Sequence, residues 1–472
     1  QRQMCIRDRV SLMRHSNSLY LDLYEKLKKQ IIEGQYQSND RFPSKRQLSE
    51  HLSLSNTTIE HAYQLLLDEG FIYSKPRSGY YVSDIESLPV LPNPYVTISN
   101  EQIDGIDLNV EHNDYDYSFN LSEIDAEHFP SHLFRKYAKE VFEDHNLDFL
   151  QRGNKQGEFE LRQQIAHYLF TSRGVTAHPQ QIVIGSSTEQ LLNMLTDILE
   201  SSSFIIEKPS YPPIKQVLDK KKFKYLQVPV EKSGIQTKPI FSSNYNVLYI
   251  TPSHQFPTGH VMNLKKRTQL INWAQHQTNR YIIEDDYDSE FRYFGKPIPA
   301  LQSLDSQDKI IYISTFSKSI YPSCRIAYIV LPPKILDLYH QYDYSEANTA
   351  PVHIQRIIAQ FMSSGSFERH LNKMRKIYKE KLTYILNALS PYEEQLKVDG
   401  ALTGMHFTLT VLNGLSMEEC IDRAKHHSLK LTPYQFDDDV KIKPKFIIGF
   451  GGIPKEQLNS HTEALINSLI IK

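Results

Sequence analysis

The apolar positions of the first eighty residues change their period twice. Over residues 20–32 they recur at helical spacing, which predicts an amphipathic helix. Two shorter helices follow over 45–52 and 57–69, each preceded by a serine that can cap its first turn. Over 71–82 apolar residues alternate on both sides of a basic tip, which predicts a β-hairpin. A helix, a helix-turn-helix and a basic wing together predict a winged-helix domain.

Such a domain places one helix in the DNA major groove, while basic wing residues meet phosphates. The stretch from Arg41 to Val82 resembles the GntR family of bacterial regulators, through the segments Phe42-Pro43-Ser44-Lys45-Arg46-Gln47-Leu48, Leu54-Ser55-Asn56-Thr57-Thr58-Ile59 and Glu69-Gly70-Phe71. The resemblance implies DNA contacts by Ser44, Lys45, Arg46, Thr57, Thr58, Lys75 and Arg77. The family commonly has arginine where this chain has Asn56, and asparagine favours adenine over guanine, so a shifted operator is expected. The alternative is a protein-binding winged helix with a solvated tip.

The remaining chain alternates helical patterns with short strands rich in β-branched residues. The predicted strands cover residues 181–184, 246–250, 281–283 and 310–313. Alternation of this kind predicts a mainly parallel α/β sheet, with ligand groups at the carboxyl ends of its strands.

Polar groups stand directly after three of these strands. Gly185-Ser186-Ser187-Thr188 follows the first, Glu284-Asp285-Asp286-Tyr287-Asp288 the third, and Ser314-Thr315-Phe316-Ser317-Lys318-Ser319, with Arg325 seven residues past Lys318, the fourth. A pyridoxal phosphate site needs a lysine for the Schiff base, a carboxylate opposite the ring nitrogen, and cationic and hydroxyl groups for the phosphate. The segments supply all of these residue types.

Through these segments, and through residues 157–162 and 251–259, the chain resembles fold-type I aminotransferases. It resembles more closely the MocR/GabR-type regulators, which fuse a GntR winged helix to such a domain, and the likeness runs from about Tyr20 to the end. It implies that Lys318 holds pyridoxal phosphate as an aldimine and is the catalytic residue. It also implies that Asp285 pairs with the ring nitrogen, Tyr287 binds the ring oxygen and Tyr211 stacks on the ring. The phosphate would be held by Ser187, Thr188, Thr315, Ser317 and Arg325, and the protein would be a homodimer.

Each of these residues has an ordinary structural alternative. Taken alone, Lys318 is typical of a solvated surface lysine, Asp285 of a cap and Arg325 of half an ion pair, whereas their joint order favours the cofactor site. The resemblance weakens at the effector clamp, because Lys443 stands where the GABA-responsive relative has arginine. That relative also has arginines where this chain has Pro212-Pro213. Lys443 is therefore the predicted effector contact, and GABA is in doubt as the effector.

Composition limits the remaining possibilities. The 472 residues carry a formal net charge of −2, so a DNA-binding surface must be local. Three scattered cysteines indicate a reducing compartment and no metal site, and no apolar run is long enough to span a bilayer, so a cytoplasmic protein is expected. The predicted divisions are a non-native leader at 1–12, a winged helix at 13–84, a proline-rich linker at 85–116, and the aminotransferase-like domain at 117–472.

Three functions remain open at this point. The favoured one is a regulator that senses a small amine, an amino acid or pyridoxal phosphate itself, because a winged helix serves no purpose in a metabolic aminotransferase. The second is an active aminotransferase that carries a DNA-binding domain. The third is a regulator whose large domain is only a dimerisation scaffold.

Overall fold

The chain divides into two compact units between Glu111 and His112. The computed structural model describes residues 19–84, 115–143, 147–295, 298–342, 348–434 and 443–471. The predicted leader and nearly all of the predicted linker lie outside these ranges. No helix within the described ranges is both long and apolar enough to cross a bilayer.

The first unit contains the predicted winged helix. Its elements are α1 Leu19–Ile32, α2 Lys45–Leu52, α3 Asn56–Asp68, β1 Ile72–Lys75 and β2 Gly79–Val82. The two strands pair antiparallel, with Ile72 opposite Val82 and Lys75 opposite Gly79, which places the predicted basic tip at the turn of the hairpin. The observed elements differ from the predicted ones by one or two residues at their ends.

Local sequence explains why these helices begin where they do. Ser44 and Gln47 form a capping box at the start of α2, and the Ser55 side chain accepts the backbone N–H of Thr58 at the start of α3. Leu27 and Ile31 of α1 and Leu66 of α3 lie in one buried cluster with the strands. Burying a side chain of this size contributes roughly 1.5–3 kcal/mol, so this cluster holds the helices together.

The second unit is an α/β domain with a smaller lobe. Its strands are β3 Tyr117–Ser118, β4 Ile182–Gly185, β5 Phe204–Lys208, β6 Tyr225–Glu231, β7 Gly234–Ile235, β8 Val247–Ile250, β9 Tyr281–Asp285, β10 Ile310–Thr315, β11 Ala327–Val330, β12 Leu396–Asp399, β13 His406–Val411, β14 Leu429–Lys430, β15 Thr432–Pro433 and β16 Lys445–Gly449. Its helices are α4 Ser131–Val141, α5 Phe159–Arg173, α6 Thr188–Ile198, α7 Pro212–Lys220, α8 Thr237–Phe241, α9 Leu264–Gln275, α10 Pro333–Gln341, α11 Val352–Ser363, α12 Ser366–Leu389, α13 Met417–His426 and α14 Leu458–Leu469.

The main sheet has eight strands in the order β4-β11-β10-β9-β8-β5-β6-β7. Neighbouring strands from β10 to β6 are parallel, whereas β11 runs antiparallel to both β4 and β10, and β7 runs antiparallel to β6. The sheet is therefore mixed, with a parallel centre as predicted. The carboxyl ends of β4, β5, β8, β9 and β10 lie along the same edge.

Apolar clusters line the two faces of this sheet. Ile283 and Ile313 belong to one cluster, whereas their strand neighbours Ile282 and Ile310 belong to another, as the alternation of side chains along a strand requires. The smaller lobe is built on a second sheet in the order β12-β13-β16-β15. The long helix α12 precedes this sheet in the chain and shares a buried cluster with it.

Candidate cofactor site and DNA-binding surface

The main sheet brings the predicted cofactor residues to one edge. Ser187 caps α6 directly after β4, and Tyr211 stands between β5 and α7. Asp285 is the last residue of β9, and Lys318 lies three residues past the end of β10. Because these four strands point the same way, residues from distant parts of the chain meet at their ends.

Asp285 is a buried carboxylate with one unsatisfied oxygen. Its Oδ2 accepts a hydrogen bond from the Tyr249 hydroxyl at 2.5 Å, while its Oδ1 has no hydrogen-bond partner among the described residues. Burial raises the pKa of Asp285 to about 7, and the neighbouring Asp286 and Asp288 add to the rise. A protonated ring nitrogen facing Oδ1 would satisfy this oxygen and favour the ionised carboxylate.

Lys318 is partly buried beside the loop that follows β9. Its Nζ donates a hydrogen bond to the carbonyl oxygen of Leu121. Burial lowers the pKa of Lys318, and the nearby Asp288 opposes this effect. A lysine with a lowered pKa is more often neutral, which is the form that attacks a carbonyl.

A buried group of His254, Asp288 and His406 lies beside Tyr287, and the sequence did not predict it. The Asp288 carboxylate lies 2.9 Å from Nδ1 of His254, and the Tyr287 hydroxyl lies 3.1 Å from the same nitrogen. In the part of the chain that the structure describes, the buried His254 Nε2 has no hydrogen-bond partner. Ligand atoms of His254, Asp288 and His406 lie within 4.8 Å of one another, a spacing that a cation could use. Burial lowers the pKa of His406 to about 3, and His254 and Lys318 add to this shift, so His406 is neutral near pH 7.

The predicted phosphate residues occupy two loops. The Ser187 hydroxyl accepts the backbone N–H of Gln190 at 3.1 Å, which leaves its own hydrogen to donate. The hydroxyls of Thr315 and Ser317 lie 2.9 Å apart. Of the other two predicted phosphate residues, Thr188 is buried and Arg325 is exposed.

Tyr211 lies close enough to Asp285 and to Arg325 for both charges to act on its hydroxyl. Burial raises the pKa of Tyr211 to about 12, Asp285 contributes to the rise, and Arg325 opposes it. These electrostatic effects mean that Tyr211 lies near both the ring-side carboxylate and the exposed arginine. The structure therefore brings these three predicted residues together.

Lys443 is placed differently from the rest. It is exposed and precedes β16. Within the described part of the chain, its side chain makes no hydrogen bond or ion pair with the residues around Lys318. Its role as an effector contact stays a prediction.

The predicted DNA-binding residues near α2 differ in how available they are. Ser44 uses its hydroxyl in the capping box, and Lys45 pairs with Glu60 at 2.7 Å. The Arg46 side chain is 87% exposed, and its pair with Glu50 is a solvent-exposed contact within one helix. Arg46 can therefore turn to a phosphate at little cost.

The other predicted DNA contacts lie at the start of α3 and on the wing. Asn56 and Thr57 are exposed in the first turn of α3, while the Thr58 hydroxyl lies 2.7 Å from that of Ser55. Wing residues Lys75 and Arg77 are both exposed. The exposed residues are those that a DNA duplex could reach.

Comparison with known families agrees with this division of the chain. Residues 19–82 match the family "Bacterial regulatory proteins, gntR family". Residues 115–435 match "Aminotransferase class I and II". The two matches correspond to the two units of the fold.

Relatives that span both units decide the assignment. The uncharacterized HTH-type transcriptional regulator YdeL of Bacillus subtilis is 34% identical over 95% of this chain and 96% of its own length. The probable rhizopine catabolism regulatory protein MocR of Rhizobium meliloti is 27% identical, over 96% and 94%. The chain belongs to the MocR-type transcriptional regulators. NorG of Staphylococcus aureus is a relative in the same group, 27% identical over 74% of this chain and 81% of its own.

Solved structures support the fold of the second unit. A kynurenine aminotransferase from Pyrococcus horikoshii aligns with 76% of this chain and 91% of its own length, with a TM-score of 0.66 and 23% identity. Identity this low shows the fold alone. The unsatisfied oxygen of Asp285 and the partly buried amine of Lys318, whose pKa is lowered, fit pyridoxal phosphate, the cofactor of fold-type I aminotransferases.

Proposed function

We propose that this MocR-type regulator changes its DNA affinity when a small amine or amino acid reacts at the Lys318 site. The observation that carries the proposal is that Lys318 and the buried Asp285 lie at the ends of two neighbouring parallel strands, at the same edge of the sheet, in a chain that also has a GntR domain. We further propose that it acts as a homodimer on an operator in the cytoplasm.

Pyridoxal phosphate supplies an aldehyde that bonds reversibly to amines and a ring that withdraws electrons. Lys318 would provide the amine that an effector displaces, and Asp285 would hold the ring nitrogen in its protonated form. Tyr211 would cover one face of the ring and exclude water from it. The two loops with Ser187, Thr315, Ser317 and Arg325 would hold the phosphate.

A sensor differs from an enzyme here in how firmly the protein orients the carboxylate of the effector. Lys443 is exposed, and a lysine is a single mobile charge that cannot make the paired, parallel hydrogen bonds of an arginine. An effector held only at its amine would seldom keep the orientation that proton removal at its α-carbon needs. Binding would then persist without turnover, and a coupling of about 1–3 kcal/mol would change operator affinity roughly 5- to 150-fold.

The test follows absorbance of the bound cofactor, operator binding and keto-acid release in the same samples while amines are added. The DNA is the region upstream of the protein's own gene. We expect a spectral change together with altered DNA affinity in the wild type and in the exposed-lysine control Lys334→Ala. Lys318→Ala should lose its bound cofactor on dialysis and should not respond.

The remaining outcomes identify the alternatives. Sustained keto-acid release would favour the active aminotransferase. A purified protein that neither binds nor responds to the cofactor would favour the dimerisation scaffold. A spectral change without any change in DNA affinity would contradict the proposed sensor.

A further inference from the structure

A cavity lies in the aminotransferase-like domain, and none of the predicted cofactor residues lines it. Its volume is about 420 Å³, within the roughly 300–1,000 Å³ range of small-molecule pockets. It lies between the end of α5, the loop after β9 and the first half of α12. Its charged lining residues are Arg173, Glu290, Arg292, Glu368 and Arg375.

Two carboxylates of this cavity have unsatisfied oxygens. Glu290 is only 8% exposed, and the Tyr168 hydroxyl donates to its Oε1 at 3.4 Å. Oε2 of Glu290 and Oε2 of Glu368 are buried and have no hydrogen-bond partner among the described residues. Burial raises the pKa of Glu290 to about 7, so a positive group beside it would favour the ionised form.

Arg173 partly offsets the charge of Glu290, but among the described residues the arginines of the cavity form no ion pair with Glu290 or Glu368. Arg173 is already occupied by Asp286, at 2.8 Å. Arg375 donates through Nε to the backbone carbonyl of Glu290 at 2.6 Å, and the buried Nε of Arg292 has no hydrogen-bond partner among the described residues. Over the described ranges no ion pair within 4.0 Å joins Glu290 or Glu368 to Arg292 or Arg375.

We propose that this cavity binds a small zwitterion of the α-amino-acid class. Once Arg173 is paired with Asp286, two acidic and two basic side chains remain, so the lining has no net charge when Glu290 is ionised. A lone anion would leave Glu290 and Glu368 unsatisfied, and a lone cation would leave Arg292. A zwitterion presents an ammonium to the carboxylates and a carboxylate to the arginines, and so satisfies both.

The cavity and the cofactor site take residues from the same loop. Glu290 lies in the loop that begins after Asp285 and contains Tyr287 and Asp288, and Arg375 fastens this loop to α12. A ligand held by Glu290 would therefore restrain the loop that contains Asp288, whose charge acts on Lys318. This site needs no reaction with pyridoxal phosphate, so it does not rest on the proposed function.

The experiment measures binding by titration calorimetry with the full-length protein, in the wild type and in Lys318→Ala. The probes are L-alanine, L-glutamine and L-leucine, with acetate and methylamine as the two halves of a zwitterion. The test variants are Glu368→Gln and Arg375→Gln, since both side chains are only partly buried. Glu380→Gln and Lys376→Gln are exposed controls on the same helix.

We expect saturable binding of at least one amino acid, retained in Lys318→Ala and in both controls. Binding should weaken about tenfold or more in each test variant, because one charge-assisted hydrogen bond contributes roughly 1.5–3 kcal/mol. Acetate and methylamine should bind more weakly than the amino acid. Thermal unfolding identifies a misfolded variant, in which case the other variant decides.

Three results would overturn the proposal. The first is that no amino acid binds saturably at millimolar concentration. The second is that test and control variants bind equally, and the third is that binding disappears in Lys318→Ala. The last would assign the signal to the cofactor and leave the proposed function standing. Conversely, binding that is retained in Lys318→Ala, together with no effect of amines on the DNA affinity of the wild type, would support this site and contradict the proposed function.

Discussion

The Tyr249 hydroxyl donates a 2.5 Å hydrogen bond to Oδ2 of Asp285, while Oδ1 of the same carboxylate has no partner among the described residues. The two oxygens of this carboxylate therefore have different roles. One oxygen is fixed by the protein, and the other is left for a ligand. The hydrogen bond also lowers the pKa of Asp285, against the larger effect of burial, which raises it.

Tyr249→Phe should therefore weaken cofactor binding. Without the hydroxyl the pKa of Asp285 rises above about 7, so less of the carboxylate is ionised at neutral pH. We expect affinity for pyridoxal phosphate to fall about tenfold near pH 7, and the loss to shrink as pH rises. Spectroscopic titration between pH 6 and 9 measures both effects.

The matched control is Tyr225→Phe, which removes a hydroxyl that donates to Asp219 at an exposed position. It should leave cofactor affinity and its pH dependence unchanged. Equal affinity of Tyr249→Phe and the wild type at every pH would show that this hydroxyl does not tune Asp285.

Asp285→Asn should stabilise the cofactor-free protein while weakening its cofactor binding. The pKa of Asp285 is about 7 in the fold, well above its ordinary value of 3.8, because burial penalises the charged form. The folded state thus holds this proton more tightly than the unfolded state does. The stability it contributes is present below about pH 4 and is lost as pH rises through 7.

Asparagine is neutral throughout this range. The cofactor-free variant should match the wild type near pH 4 and exceed it by roughly 1–3 kcal/mol at pH 8. Denaturant unfolding of the cofactor-free proteins at the two pH values measures the difference. A variant that is less stable than the wild type at pH 8 would contradict the assignment of a strained, buried charge.

The strand ends of the second unit could be predicted because each depends on local sequence. A short β-branched run followed by polar residues identifies the positions of Asp285 and Lys318 without any three-dimensional information. The aligned edge then follows from the parallel direction of the strands. The antiparallel β11 could not be predicted in this way, because direction in a sheet depends on long-range connections.

The partners of these residues could not be predicted from local sequence. Tyr249 follows the alternation of a core strand, and only the pairing of β8 with β9 brings its hydroxyl to Asp285. The contact of Lys45 with Glu60 spans fifteen residues between two helices, so a residue that looks available for DNA is engaged in the fold. His254 and Asp288 lie 34 residues apart, and no local pattern joins them.

Gly404→Ala should disturb the group around His254. Gly404 has φ of 75°, and an added Cβ would lie 2.1 Å from the His254 ring and 2.5 Å from the Asp288 carboxylate. Gly414 has φ of 91°, but an added Cβ there meets nothing within 4 Å. Gly414→Ala therefore carries the backbone strain alone, about 1–2 kcal/mol.

We expect Gly404→Ala to be destabilised more than Gly414→Ala and to bind pyridoxal phosphate more weakly, because Tyr287 shares His254 with Asp288. Thermal unfolding and cofactor titration of the two variants measure the contrast. Similar cofactor affinity in both would show that the His254 group does not support the cofactor site.

Arg46→Ala and Arg77→Ala should weaken operator binding without changing cofactor content. Both side chains are exposed, and the ion pair of Arg46 with Glu50 is solvent-exposed and therefore weak. An arginine that meets a phosphate releases about one counterion, so its loss should reduce the salt slope by about one, whereas an arginine that reads a base should cost about 1–3 kcal/mol at one operator position. Binding isotherms at several salt concentrations distinguish the two roles.

Lys29→Ala on α1, where the side chain is 73% exposed, is a charge-matched control outside the helix-turn-helix and wing. Unchanged affinity in both arginine variants, or an equal loss in Lys29→Ala, would contradict this placement of the DNA-binding surface.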